Sequence, residues 1–161
     1  ITAMAKAKAA AQRFPRLNSI PGTFHEIGVP KDRKTSALEM AEASGIEPAR
    51  LFKTLIVLAD AKIFAMAIVP SDRDLDRKAL ARLMKAKRVD LAPKEKAIKL
   101  TGYQMGACAP LGQKSALPAF VDESAFGFAS IYVSGGAYGL ELEIAPDILL
   151  EAVKGTKAVI T

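Results

Sequence analysis

The chain has 161 residues, half of them hydrophobic and a quarter charged, which suits one globular domain able to bury a core and argues against a disordered chain. A single cysteine, Cys108, and a single histidine, His25, exclude an intramolecular disulfide, a multi-cysteine zinc site and a histidine-rich metal centre. The net charge of +6 hints at a polyanionic partner, but with no tryptophan and few aromatics there is no base-stacking platform, so RNA contacts would go chiefly to phosphate.

In chain order, residues Ile1 to Arg13 are alanine-rich and favour a helix, which reads as a loosely attached N-terminal element over 1–15 of a single-domain chain. No apolar run approaches bilayer length and no signal-peptide pattern is present, so a cytoplasmic address without a membrane partner is expected. Thr23 to Ile27 alternates as a strand. Thr35 or Ser36 caps a helix over Ala37 to Ser44, and Gly45 ends it. Leu51 to Leu58 reads as a buried strand that forms a hairpin with Lys62 to Val69 across Asp60-Ala61. Asp74 or Asp76 opens a helix through about Lys85. Arg88 to Leu91 is a short strand, and Pro93 to Gly102 bounds another helix. Ala119 to Asp122, Ala129 to Ser134 and Leu140 to Ile144 follow as strands, then a helix from Pro146 to Val153 and a last strand at Ala158 to Ile160. The mixture lacks regular strand–helix alternation. It predicts an α/β (mixed) domain, with a mixed, mostly antiparallel sheet or half-open barrel surrounded by helices.

Lys53 does not fit the apolar strand that carries it. Either it snorkels to water from a strand end, or it meets an anion in a pocket. Two loops of small residues could face the same pocket. In Gly106-Ala107-Cys108-Ala109-Pro110-Leu111-Gly112, glycines let backbone amides approach a ligand and proline fixes the path, although a plain turn has the same composition. Ser134-Gly135-Gly136 offers amides and a hydroxyl, and reads equally as a strand-to-strand turn. Ser134 has no partner base in sequence and no nucleophile-elbow motif. Cys108 between alanines reads as packing, and His25 as a structural histidine. Glu141 and Glu143 point to one side of a strand, where a solvated face is expected ahead of a metal site. Neither a metal nor a cofactor is expected.

Five stretches in register resemble the YbaK/ProX-like family of free-standing aminoacyl-tRNA deacylases, above all its Cys-tRNA(Pro) deacylase branch. They are Leu51-Phe52-Lys53-Thr54-Leu55-Ile56-Val57, Leu75-Asp76-x-Lys78, Leu100-Thr101-Gly102-Tyr103-x-x-Gly106, Pro110-Leu111-Gly112-Gln113-Lys114 and Ile131-Tyr132-Val133-Ser134-Gly135-Gly136-x-x-Gly139-Leu140-Glu141. The family is similar to the editing domain of bacterial prolyl-tRNA synthetases, which implies the same single mixed α/β domain. The resemblance implies that Lys53 holds the terminal nucleotide of a tRNA. It also implies that Ser134 with the Gly135 and Gly136 amides faces the aminoacyl ester, as the catalytic set. Thr54, Gly106, Pro110, Gly112, His25 and Glu141 complete the substrate-binding set. Glu141 stands where relatives usually carry aspartate, Ile27 where some place a tyrosine, and Ala107 where a second glycine occurs.

What the resemblance implies chemically is trans-editing: hydrolysis of misacylated tRNA, Cys-tRNA(Pro) first and Ala-tRNA(Pro) as the alternative. The partners would be the tRNA acceptor end and prolyl-tRNA synthetase. A catalytically silent RNA-binding module of the same fold is the competing class. An aminoacyl ester is already activated and cysteine carries its own thiol, so orientation and oxyanion stabilisation suffice without a triad.

Overall fold

In a computed structural model, whose described residues are Ala5, Ala7, Lys8, 19–27 and 36–161, the fold is built on a long hairpin. Strands β2 (Phe52–Ala59) and β3 (Ile63–Pro70) pair antiparallel along their whole length, Lys53 opposite Val69 and Ala59 opposite Ile63. Asp60 and Ala61 make the turn with φ of 50° and 54°, the left-handed conformation that lets a tight hairpin turn follow the twist of its strands. β4 (Val89–Leu91) adds antiparallel to Val57–Ala59, while β5 (Ala119–Asp122) and β8 (Thr156–Ala158) add parallel beyond β3. The result is a five-stranded sheet of order β4-β2-β3-β5-β8. β1 (Thr23–Glu26), β7 (Leu140–Ile144) and β6 (Ile131–Ser134) form a second, antiparallel sheet in that order. A single parallel bridge, Leu51 to Tyr132, links the two sheets. The mixed, mostly antiparallel α/β architecture expected from the sequence is the one observed.

Both faces of the larger sheet are buried. Phe52, Ile56, Met66 and Ile68 point between the sheets, where they meet Ile131, Val133, Leu142 and Ile144. Val57, Ala65, Ala67 and Val69 point the other way, beneath Leu80 and Ala81 of α2 (Arg77–Leu83). Two buried faces explain why these strands read as continuous apolar runs and not as alternation. Each fully buried Ile, Leu or Val contributes roughly 1.5–3 kcal/mol relative to exposure.

Helix α1 (Ala37–Ser44) keeps the predicted bounds. Ser36 Oγ accepts from the Glu39 amide at 3.1 Å, Glu39 Oε1 accepts from the Ser36 amide at 3.5 Å, and Gly45 terminates the helix at φ 74°. Its buried Met40 and Ala41 pack with Ile27 and Leu51, which lays the helix over the junction of the sheets. Asp76 caps α2 through its bond from the Ala79 amide, and Gly102 closes α3 (Lys94–Thr101) at φ 81°. α4 (Pro146–Ala152) leads back to β8.

Several predicted boundaries move by one residue, and two strands move by two. The strand expected from Ala129 begins at Ile131 because the Ser130 carbonyl accepts two bonds from the Arg50 guanidinium, at 3.1 and 3.0 Å. The last strand is Thr156–Ala158 and not Ala158–Ile160. Buried Ile160 donates its amide to Asp122 Oδ1 and accepts from the Asp76 amide, so its backbone is satisfied outside the ladder. The predicted N-terminal helix falls, apart from Ala5, Ala7 and Lys8, outside the described residues.

Candidate active site

β4 covers only Val57–Ala59, so among the described residues the edge of β2 from Lys53 to Leu55 has no strand of its own sheet beside it. The Ile56 carbonyl accepts from the Ala92 amide on that edge. Strand periodicity therefore turns the amide and carbonyl of Thr54 to the same edge. A cavity of about 220 Å³ lies here, walled by Leu51 to Leu55, by Ser36, Ala37 and Met40 at the start of α1, by Met105, Gly106 and Cys108, and by Ser134 and Glu141.

Five of the ten predicted site residues meet in this cavity: Lys53, Thr54, Gly106, Ser134 and Glu141. Lys53 is half-buried and has no ion pair among the described residues. Thr54 Oγ1 and Glu141 Oε2 are buried side-chain oxygens with no hydrogen-bond partner among the described residues. Such a group costs on the order of 1–3 kcal/mol in the absence of a ligand. Glu141 is 4% exposed, so the solvated face expected for the Glu141/Glu143 pair is wrong for this member. Burial pushes its carboxyl up to about 8, because a low-dielectric surround penalises the charged form. Gly106, at φ 88°, has open space where a Cβ would stand. Its backbone conformation, and not crowding, is what calls for glycine.

Gly135 and Gly136 adjoin the cavity through Ser134, but their amides are engaged. Gly135 donates to the Leu140 carbonyl at 2.8 Å, and Gly136 donates to Ser134 Oγ at 3.2 Å. Gly135 closes the β6–β7 connection so tightly that a Cβ would lie 2.8 Å from Leu140 Cγ. Pro110 and Gly112 lie outside the cavity, in the wall of a second one of about 170 Å³ with Ile20 and Val153. The loop divides because the Tyr103 hydroxyl donates to the Leu111 carbonyl at 2.5 Å and Gln113 Nε2 to the Ala109 carbonyl at 3.0 Å, which carries its second half away from Gly106.

His25 is also elsewhere. Its Nε2 lies 3.0 Å from Glu143 Oε1, and its ring tilts against Tyr132 at 5.7 Å. The Ser130 hydroxyl donates to Glu143 Oε2 at 2.6 Å, and this bond, then His25, holds the Glu143 carboxyl below its usual range. The group ties β1, β6 and β7 together, in keeping with the structural histidine expected. Met40, Met105 and Cys108 were not expected in the site. Burial pushes the Cys108 thiol up to about 12, which makes it a neutral wall and no nucleophile. Among the described residues no group of acidic, histidine or cysteine side chains could hold a metal ion.

Comparison with known proteins fits this geometry. A family model described as the aminoacyl-tRNA editing domain matches residues 31–152. The candidate Cys-tRNA(Pro)/Cys-tRNA(Cys) deacylase EbsC of Enterococcus faecalis is 33% identical over 154 residues, covering 96% of this chain and 93% of that protein. The proline–tRNA ligase of Geobacter metallireducens is 29% identical over 136 residues, 84% of this chain but only 23% of the ligase. Among solved structures, a candidate trans-editing enzyme for prolyl tRNA synthetase superposes with a TM-score of 0.81 at 24% identity, over 95% of this chain and 96% of that one. The chain belongs to the aminoacyl-tRNA editing domain family, in its YbaK/ProX-like part and close to the EbsC branch.

Proposed function

We propose that the protein hydrolyses the ester of misacylated tRNA in trans, with Cys-tRNA(Pro) as preferred substrate. One observation carries the reading: one small cavity brings together Lys53, which has no ion pair among the described residues, and two buried oxygens, Thr54 Oγ1 and Glu141 Oε2, that no described residue satisfies. A volume of about 220 Å³ is below the ~300–1,000 Å³ usual for whole small-molecule ligands. It suits an aminoacyl group with part of its ribose, the rest of the RNA remaining outside. The name of the Enterococcus relative, and the chain's match to part of a proline–tRNA ligase, support the same substrate class.

In this reading Lys53 at the strand edge holds the terminal phosphate as a point charge. Thr54 contributes its outward amide and its hydroxyl. Glu141 retains its proton near neutral pH and so donates a hydrogen bond to the ester carbonyl oxygen as negative charge develops there. Cys108 and Met105 supply an uncharged wall that excludes water from the side chain. The nucleophile is the substrate's own thiol or a water held by the tRNA hydroxyls. Its attack on the ester carbonyl carbon breaks the bond to the ribose oxygen, which leaves with the nucleophile's proton. On the thiol route water then opens the cyclic thioester to release cysteine. Proline, lacking a thiol, lacks the first route.

The test is release of amino acid by purified protein from Cys-tRNA(Pro), Ala-tRNA(Pro) and Pro-tRNA(Pro). Faster release of cysteine is expected. Background release from all three would overturn the reading, and faster release of alanine would reassign the preference.

A further inference from the structure

Six of the chain's 23 Lys and Arg lie together between positions 77 and 88 with no acid among them: Arg77, Lys78, Arg82, Lys85, Lys87 and Arg88. Taking these 6 from 23 leaves 17, which equals the chain's 17 Asp and Glu. The segment's six positive charges equal the formal net charge of +6, with Asp72, Asp74 and Asp76 before it and Asp90 after it. All six side chains are exposed. Arg77 and Arg88 share Asp90, at 3.8 and 2.8 Å, and the other four form no ion pair among the described residues. A helix dipole accounts for Arg82 in the last turn of α2. It does not reach Lys85, Lys87 or Arg88, which lie past the helix end.

The segment is fixed in place. Asp60, in the β2–β3 turn, accepts from the Lys87 amide at 3.0 and 3.1 Å and from the Arg88 amide at 2.9 Å, and donates its own amide to the Arg88 carbonyl at 2.8 Å. Lys62, Lys87 and Arg88 border a shallow groove there together with Asp60, whose carboxylate is taken by the Lys87 and Arg88 amides, and Asp90, which pairs with Arg77 and Arg88. β4 follows at once and pairs with the same edge of β2 that faces the cavity at Lys53–Leu55. Cavity and basic segment therefore succeed one another along one strand edge, separated by about 20 Å at ~3.3 Å per strand residue.

We infer that this segment is the docking surface for the phosphate backbone of an RNA whose 3′ end enters the cavity, an inference that rests on the proposed hydrolysis of aminoacyl-tRNA. Unpaired cations on a rigid support suit a partner with a repeating negative charge. A lipid surface fits less well, because α2 turns Leu80 and Ala81 into the core and the exposed apolar neighbours, Ile63, Leu83 and Leu91, stand on three different elements, β3, α2 and β4, and not along one helix face.

The experiment compares the wild-type chain, an Arg82→Gln/Lys85→Gln/Lys87→Gln variant and the charge-retaining Lys85→Arg/Lys87→Arg variant, with melts confirming folding. Affinity for uncharged tRNA is measured by fluorescence anisotropy across a salt series, and binding to phosphatidylserine–phosphatidylcholine vesicles in parallel. For the glutamine variant the slope of log K against log salt should fall by about two to three, at roughly 0.7–0.9 per lost phosphate contact. The arginine variant should keep the wild-type slope. The ratio of kcat/KM for aminoacyl-tRNA to that for the aminoacyl ester of adenosine should drop at least tenfold in the glutamine variant. An unchanged tRNA slope would overturn the inference, as would a loss confined to vesicles. If the wild type hydrolyses neither ester yet binds tRNA through these cations, the proposed activity fails while the docking surface stands.

Discussion

Ser134 and Glu141 are cross-strand partners: β6 and β7 hold them directly opposite each other, so the hydroxyl and the carboxyl rise from the same face of the smaller sheet. The opposite face, with Val133 and Leu142, fills the core. A one-residue slip in this register would exchange the two sets and abolish the cavity's polar wall.

Glu141 makes stability depend on pH in a definite direction. Its carboxyl sits at about 8 in the folded chain against an ordinary 4.5, so the folded state binds the extra proton. The stabilisation is complete below the unfolded value and is lost as pH rises through the folded one. Between pH 5 and 8 the wild type should lose on the order of 3–5 kcal/mol from this group, while Glu141→Gln should lose little. Urea midpoints at both pH values decide it, and parallel profiles for the two proteins would remove Glu141 from the account.

Lys53 separates a surface role from a site role. As a strand-end cation it would contribute within about half a kcal/mol, so Lys53→Ala should melt as the wild type does. As a phosphate ligand in a partly desolvated cavity its loss should remove a charge-assisted contact of roughly 1.5–3 kcal/mol, about ten- to a hundredfold in kcat/KM. Lys53→Arg should not restore full activity, since a planar guanidinium is wider than an ammonium. Single-turnover deacylation is the measurement, and wild-type turnover by the alanine variant would take Lys53 out of the site.

Cys108→Ala should retain near-full turnover. The buried thiol, pushed up to about 12, has a negligible thiolate fraction at neutral pH, and so cannot serve as nucleophile. Iodoacetamide should label it slowly in the native chain and quickly in urea. Rapid native labelling together with loss of activity would demand a covalent mechanism instead.

Local chemistry made most of the fold legible. Ser36 and Gly45 bound α1, Asp60-Ala61 turns the hairpin, and Gly102 ends α3, because caps and turns depend on neighbours in sequence. The site was legible at four strand residues and at Gly106, where the loop begins. Lys53, Thr54, Ser134 and Glu141 follow from the family resemblance, since strand alternation alone sets adjacent Lys53 and Thr54 on opposite faces and puts Glu141 on a solvated one. The loop after Gly106, by contrast, is divided by the distant anchoring of Leu111 and Ala109, which spacing cannot reveal. Nor could composition show that the Gly135 and Gly136 amides are taken by Leu140 and Ser134. The α1 wall was hidden because it comes from tertiary packing of Met40 on Leu51.

Thr54 offers the sharpest separation of stability from function. Its Oγ1 is buried at the cavity wall without a partner among the described residues, so the free protein carries the cost of an unsatisfied hydroxyl. Valine has nearly the same shape and no polar atom. Thr54→Val should therefore stabilise the free protein by about 1 kcal/mol, against the usual expectation that buried substitutions destabilise. If the hydroxyl is kept for the substrate, the same change should lower kcat/KM for aminoacyl-tRNA about tenfold, the loss of one hydrogen bond made only in the complex. Thr54→Ser, which keeps the hydroxyl and loses a methyl group, should show the reverse pattern: lower stability with most of the activity retained. Denaturation midpoints and single-turnover rates for the two variants test both halves. A valine variant that is less stable than the wild type and equally active would mean that Thr54 belongs to the core and plays no part in catalysis.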